Sequence, residues 1–140
     1  MSLFNVFNVA GSGMAAQSTR LNTVASNLAN ADSVASSPAG AYRAKEPLFA
    51  AVRADLDGKP AEAGSDGVKV LGVTESQAAI TSRYEPGNPM ADTDGYVYQS
   101  NVNPVDELVN MISASRSYQN NVEVMNTARQ LMQKTLDLGK

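Results

Sequence analysis

Apolar residues recur every seven positions at both ends of the chain, and almost no charge accompanies the first of these repeats. Phe7, Met14, Leu21 and Leu28 fall seven apart, and Ala10, Gln17, Val24 and Ala31 sit three residues after each of them. These are the two seam positions of a coiled-coil heptad. Ala15, Ala16, Ala25 and Ala29 favour helix, whereas Gly11 and Gly13 each cost about 1 kcal/mol relative to Ala. The pattern predicts a helix from about Leu3 to Ala31, weakened near Gly11–Gly13. At the other end, Leu108, Met111, Ser115, Tyr118, Val122, Met125, Arg129, Met132 and Leu136 alternate spacings of three and four. Asn103 is placed to cap this segment, Pro104 suits a first helical position, and Asp106 and Glu107 lie near the positive end of the helix dipole. Gly139 follows as a stop. A second helix is predicted from Pro104 to Leu138, roughly 50 Å long at 1.5 Å per residue.

These two helices face an energetic difficulty. The N-terminal seam has only four large apolar residues with which to offset the ordering of a long backbone, and helix hydrogen bonds return only part of that cost. The opposite faces, with Ser18, Thr19, Asn22, Thr23, Ser26 and Asn27, are polar but nearly uncharged. Arg20 and Asp32 are the only charged side chains through residue 40. A helix against open water normally shows Lys and Glu there. Small, uncharged residues on every side point to a helix surrounded by other protein. The expectation is that the termini are mobile in the monomer and order on assembly.

Between the helices, charges become frequent and Gly and Pro recur. Leu48–Val52, Val68–Val73 and Tyr96–Val97–Tyr98 are strand candidates, with Gly72 interrupting the second. Asp57–Gly58, Asp66–Gly67 and Asp94–Gly95 are turn signals, and Glu85-Pro86-Gly87-Asn88-Pro89 must be a loop, since its prolines cannot join a ladder. Residues 31–41 read as an irregular Ser/Ala-rich linker. The chain carries a net charge of −3 and contains neither cysteine nor histidine. That removes disulfides, thiolate metal sites, Ser–His and Cys nucleophile systems and the usual imidazole base, and nothing favours a polyanion as partner. No basic residue precedes Arg20 and no continuous apolar segment opens the chain, so a cleavable secretory signal is not expected. No stretch reaches the 18 apolar residues of a membrane span.

Several motifs carry a resemblance. Ser2-Leu3-Phe4-Asn5-Val6-Phe7, with Ala10-Gly11-Ser12-Gly13-Met14 and the run Arg20-Leu21-Asn22-Thr23-Val24-Ala25-Ser26-Asn27-Leu28-Ala29-Asn30-Ala31, resembles the N-terminal motif of bacterial flagellar axial proteins. Gly67-Val68-Lys69-Val70, Tyr84 through Pro89, Ala91-Asp92, Gly95-Tyr96-Val97, Asn101-Val102-Asn103, Ala114 through Tyr118 and Asn121 through Ala128 are more specific. They are similar to the flagellar basal-body rod protein family, and most of all to its proximal-rod member. Gln77-Ala78-Ala79 and Gln99-Ser100 depart from the family's pattern.

The resemblance implies a mainly α chain with a small β insertion. Its long N- and C-terminal helices would form an antiparallel coiled-coil-like pair, joined by a β-rich middle segment of short strands and loops. The parts would be an axial helix at 1–31, a linker and β-rich segment at 32–103, and a second axial helix at 104–140. The expected function is that of a structural subunit polymerising through its terminal helices into a drive shaft that transmits torque. Its expected partners are copies of itself, the rod proteins FlgB, FlgF and FlgG, the adaptor FliE and the flagellar type III export apparatus. It would sit in the periplasmic rod of the basal body. The assembly interface is expected at Phe7, Met14, Leu21, Val24, Leu28, Leu108, Met111, Ile112, Tyr118, Val122, Met125, Met132 and Leu136, with no cofactor and no catalytic residue. The alternative is a soluble helical-hairpin adaptor or export regulator of a secretion apparatus.

Other features have ordinary readings. Gly11-Ser12-Gly13 follows no strand and precedes no Lys-Ser/Thr, so it reads as close helix packing and not as a phosphate cradle. Glu85, Asp92, Asp94 and Asp106 read as surface turn residues rather than a carboxylate site. Gln17, Ser115 and Arg129 interrupt the stripes, either as tolerated polar positions or as register selectors. The asparagines at 22, 27, 30, 120, 121 and 126 supply either hydrogen bonds between packed helices or ordinary surface polarity.

Overall fold

A computed structural model describes residues 3–53 and 66–139. Helix α1 spans Leu3–Ala29 and α2 spans Pro104–Leu138. Between them lie β1 (Val34–Ala35), β2 (Lys45–Arg53), β3 (Asp66–Glu75), β4 (Thr81–Tyr84) and β5 (Tyr96–Gln99). The chain is thus two long terminal helices around a small β region.

The ends of α2 follow local chemistry. The Asn103 side chain accepts from the Val105 N–H, Pro104 opens the helix, Asp106 and Glu107 occupy the first turn, and Gly139 caps the end. Helix α1 runs unbroken through Gly11 and Gly13, where the sequence predicts a weak point. A Cβ on Gly13 would come within 2.8 Å of the Asn121 amide, so close approach to α2 occupies the space that a side chain would need.

The strands form two sheets. Antiparallel β2 and β3 make a hairpin whose register shifts between Leu48 and Phe49, leaving Leu71 without an opposite residue. Gly72 therefore sits beside a bulge inside a continuous strand and does not end it. Pro47 is accommodated because both strands of a two-stranded sheet are edges. The Asp66–Gly67 turn signal is overridden: both residues lie in β3, paired with Arg53 and Val52. The Asp57–Gly58 signal lies outside the described residues. The second sheet has the order β1-β5-β4, all antiparallel. Its central strand places Val97 at 0% exposure. Two of its strands depart from sequence expectation. Val34–Ala35 falls in the stretch predicted to be irregular, and Thr81–Tyr84, polar and exposed throughout, carries no apolar alternation.

The turn before β5 is built around Asp92, whose carboxylate accepts from the N–H groups of Asp94 and Tyr96 and from the Tyr98 hydroxyl. The Tyr96 N–H is the foremost reason that Asp92 titrates below the usual carboxylate range. Gly95 has φ of 83°, and a Cβ there would meet the Tyr84 ring at 2.9 Å. That ring packs edge-on against Tyr96, with centroids 5.2 Å apart.

Candidate assembly surface

Asn27 ties α1 to the β region. At 1% exposure, its side chain accepts from the Lys45 N–H at 2.8 Å and donates to the Lys45 carbonyl at 2.9 Å. It thereby treats the first residue of β2 as a neighbouring strand would. The Tyr42 hydroxyl adds a third bond at 3.1 Å. Farther along α1, Ser12 accepts from the Val68 N–H and holds β3 against the helix. Asn101 performs a similar task in the middle region, accepting from the Ala44 N–H and donating to the Ala78 carbonyl.

The helices meet along small and polar residues. The buried positions of α1 are Ala10, Ala16, Thr23, Val24 and Asn27, and those of α2 are Ala114 and Ala128. Arg20 donates to the Asn110 side chain at 2.7 Å, Gly13 abuts Asn121, and Val6 shares a groove with Ala128. Residue numbers fall along α1 as they rise along α2. Glu107, Ala114, Asn121 and Ala128, seven apart, mark the α2 side. The large-residue stripes predicted from the heptads are displaced from this line, because close approach of two helix backbones favours the smallest side chains over the largest.

The thirteen residues singled out in the sequence fall into three groups. Val24 is buried. Phe7, Met14, Leu21, Leu28, Met111, Met125 and Met132 are half-buried beside the contact line. Leu108, Ile112, Tyr118, Val122 and Leu136 are open to solvent, Leu108 at 51%, Ile112 at 56% and Leu136 at 69%. The first turns of α2 are apolar on the far side as well, where Val105 and Val109 are also exposed. The heptad reading passed over these two because it assumed one seam per helix. Apolar residues off that seam were the available signal. Among the described residues, α2 packs on α1 and on no strand, whereas α1 also carries the β2–β3 hairpin. Of the 35 residues of α2, only two are buried.

The electrostatics of the contact are concentrated at its base. Burial is the leading cause that raises the Glu107 carboxyl above its usual 4.5; the neighbouring Asn27 amide works against this, Glu46 and Asp106 add to it, and Arg20 offsets it. Glu107 Oε2 is enclosed without a hydrogen-bond partner, as is Gln17 Oε1 farther up the pair. The carboxylates weighed as a possible site are dispersed. Asp92 organises its turn, Glu85 pairs with Arg83 at 2.7 Å, and Asp94 and Asp106 are exposed. Among the described residues, no group of acidic side chains could hold a metal ion, and no helix is long and apolar enough to cross a membrane.

Comparison with known proteins agrees with this organisation. Residues 7–35 match the family described as flagella basal body rod protein, and residues 93–138 match flagellar basal body rod FlgEFG protein C-terminal. The flagellar basal-body rod protein FlgC of Salmonella typhimurium is 54% identical over 140 residues, covering all of both chains. The proteins of the same name from Yersinia enterocolitica and Buchnera aphidicola subsp. Schizaphis graminum are 49% and 44% identical, again over the full length of both chains. With its helical segments matched to rod families and its whole length to these relatives, the chain belongs to the FlgC family of flagellar basal-body rod proteins.

Proposed function

We propose that this chain is a structural subunit of the proximal rod of the bacterial flagellar basal body, and that its terminal helices polymerise into the shaft that transmits torque. Family membership supports the rod role. The observation that carries the mechanism is α2, a 35-residue helix with two buried residues and apolar side chains on faces that nothing described in this chain covers. Such a helix gains its stability from neighbours.

On this reading the helices form an antiparallel coiled-coil-like pair. The chain divides into axial parts at 1–31 and 104–140 around the middle segment 32–103. The thirteen residues from Phe7 to Leu136 named above contribute to contacts between subunits. The work is mechanical, with no reaction step. A subunit contact in which two different surfaces meet does not close on itself, and repetition produces a helical tube. The partners are further copies, the rod proteins FlgB, FlgF and FlgG, and the adaptor FliE. The subunit reaches the periplasmic rod through the flagellar type III export apparatus.

Electron microscopy of purified basal bodies that carry a tagged copy tests the assignment. Label on the proximal rod is expected. Basal bodies that assemble complete but unlabelled, with the tagged chain left soluble, would contradict it.

A further inference from the structure

Two surfaces on this chain complement one another in polarity and charge. The first is the far side of the α2 N-terminal half. At about 100° per residue, Val105, Val109, Ile112 and Arg116 fall on the side of α2 turned away from Glu107, Ala114, Asn121 and Ala128, and therefore away from α1. Val105, Val109 and Ile112 are exposed apolar residues. Val109, Ile112 and Arg116 line a shallow hollow with Ser113 and Ser117, and Arg116 is its one charge. The second surface is an open groove of about 500 Å³ where the beginning of α1 meets the latter part of α2. Val6, Val124, Ala128 and Leu131 give it an apolar floor, and Glu123 is the one charge in its lining. Among the described residues, neither Arg116 nor Glu123 has an ion-pair partner.

We propose that the Val105–Val109–Ile112–Arg116 stripe of one subunit docks into the Val6–Val124–Leu131 groove of a second copy, with Arg116 meeting Glu123. The proposal rests on the rod reading and specifies one contact within it. A second copy is the occupant because one sequence supplies both halves: an apolar stripe ending in a single cation, and an apolar groove edged by a single anion. Surfaces of matching polarity and opposite charge set orientation and exclude displaced arrangements, in which an apolar stripe would face polar surface or a charge would be stranded. The stripe and groove occupy different parts of α2, so the contact is heterologous and each bound copy leaves one stripe and one groove open. The pairing thus extends as an array and does not stop at a dimer.

The absence of cysteine from the sequence makes the test selective. A tagged chain carrying Ile112→Cys and Leu131→Cys is incorporated into basal bodies, which are purified and mildly oxidised. Disulfide-linked multimers of this chain are expected, and either substitution alone should give none. In parallel, Arg116→Glu and Glu123→Arg should each abolish swimming, and the double exchange should restore it. Both positions are exposed, so recovery in the double variant separates a docking defect from misfolding. The proposal is overturned if the double-cysteine chain stays unlinked, if it links to a different protein, if either charge reversal swims normally, or if the double exchange fails to recover. Absence of the unsubstituted tagged chain from basal bodies would instead overturn the rod assignment itself.

Discussion

At the residue scale, a few asparagines, and not the large apolar side chains, make the most specific connections. Asn27 satisfies both backbone groups of Lys45 while buried, so its loss takes from a half-buried donor and acceptor the partner they have here. Asn27→Ala is expected to lower the stability of the middle region by about 1–3 kcal/mol. Urea unfolding followed by near-ultraviolet circular dichroism reads this directly, since four of the five tyrosines lie at 42, 84, 96 and 98. Glu107 makes a pH-dependent contribution of opposite sign to that of a paired carboxylate. Burial raises its folded-state pKa above 4.5, so the folded chain holds this proton more tightly than the unfolded chain. The associated stability is present below the usual carboxylate range and is lost as pH rises through the raised value. Glu107→Gln is therefore expected to resist urea better than the parent near neutral pH, with the advantage vanishing in acid. Equal midpoints at all pH values would remove this role. The sequence announced neither residue. Asn27 was one of six asparagines with two readings, and Glu107 passed for a first-turn acid because its burial depends on α1, distant in sequence.

At the element scale, legibility followed locality. The bounds of α2 could be read from Asn103, Pro104, Asp106 and Gly139 because capping chemistry acts within one turn. The packing face could not, because a rule that selects the largest apolar residues points to Leu108 and Leu136, whereas the close approach selects Ala114, Ala128 and Gly13. Strands β1 and β4 were invisible for a related reason: two residues in one and four exposed residues in the other acquire strand geometry only by pairing with β5. The half-buried Leu21 lies beside the contact line, in the part of α1 that the assembly account needs. Leu21→Asp is expected to abolish rod incorporation and swimming while the tyrosine signal of the middle region stays unchanged. Normal swimming by this variant would refute the role given to α1.

At the scale of the whole molecule, stability is divided unevenly. The middle region has Val97 and Asn101 as internal fastenings, and Asn27 near the end of α1 fastens that end of the helix to it. The helices extend beyond that centre with small residues between them and large ones left open, an arrangement that is weak alone and strong when bundled. This division suits the proposed rod subunit, which would become rigid only in place. Backbone amide exchange tests it most directly, comparing the dilute monomer with the same chain in purified basal bodies. Fast exchange is expected in the monomer along Pro104–Leu138 and along α1 up to the turn that carries Asn27, with the strands protected, and slow exchange throughout both helices is expected in the basal body. A dilute monomer already protected along the full length of both helices would contradict the claim that these helices depend on neighbouring subunits.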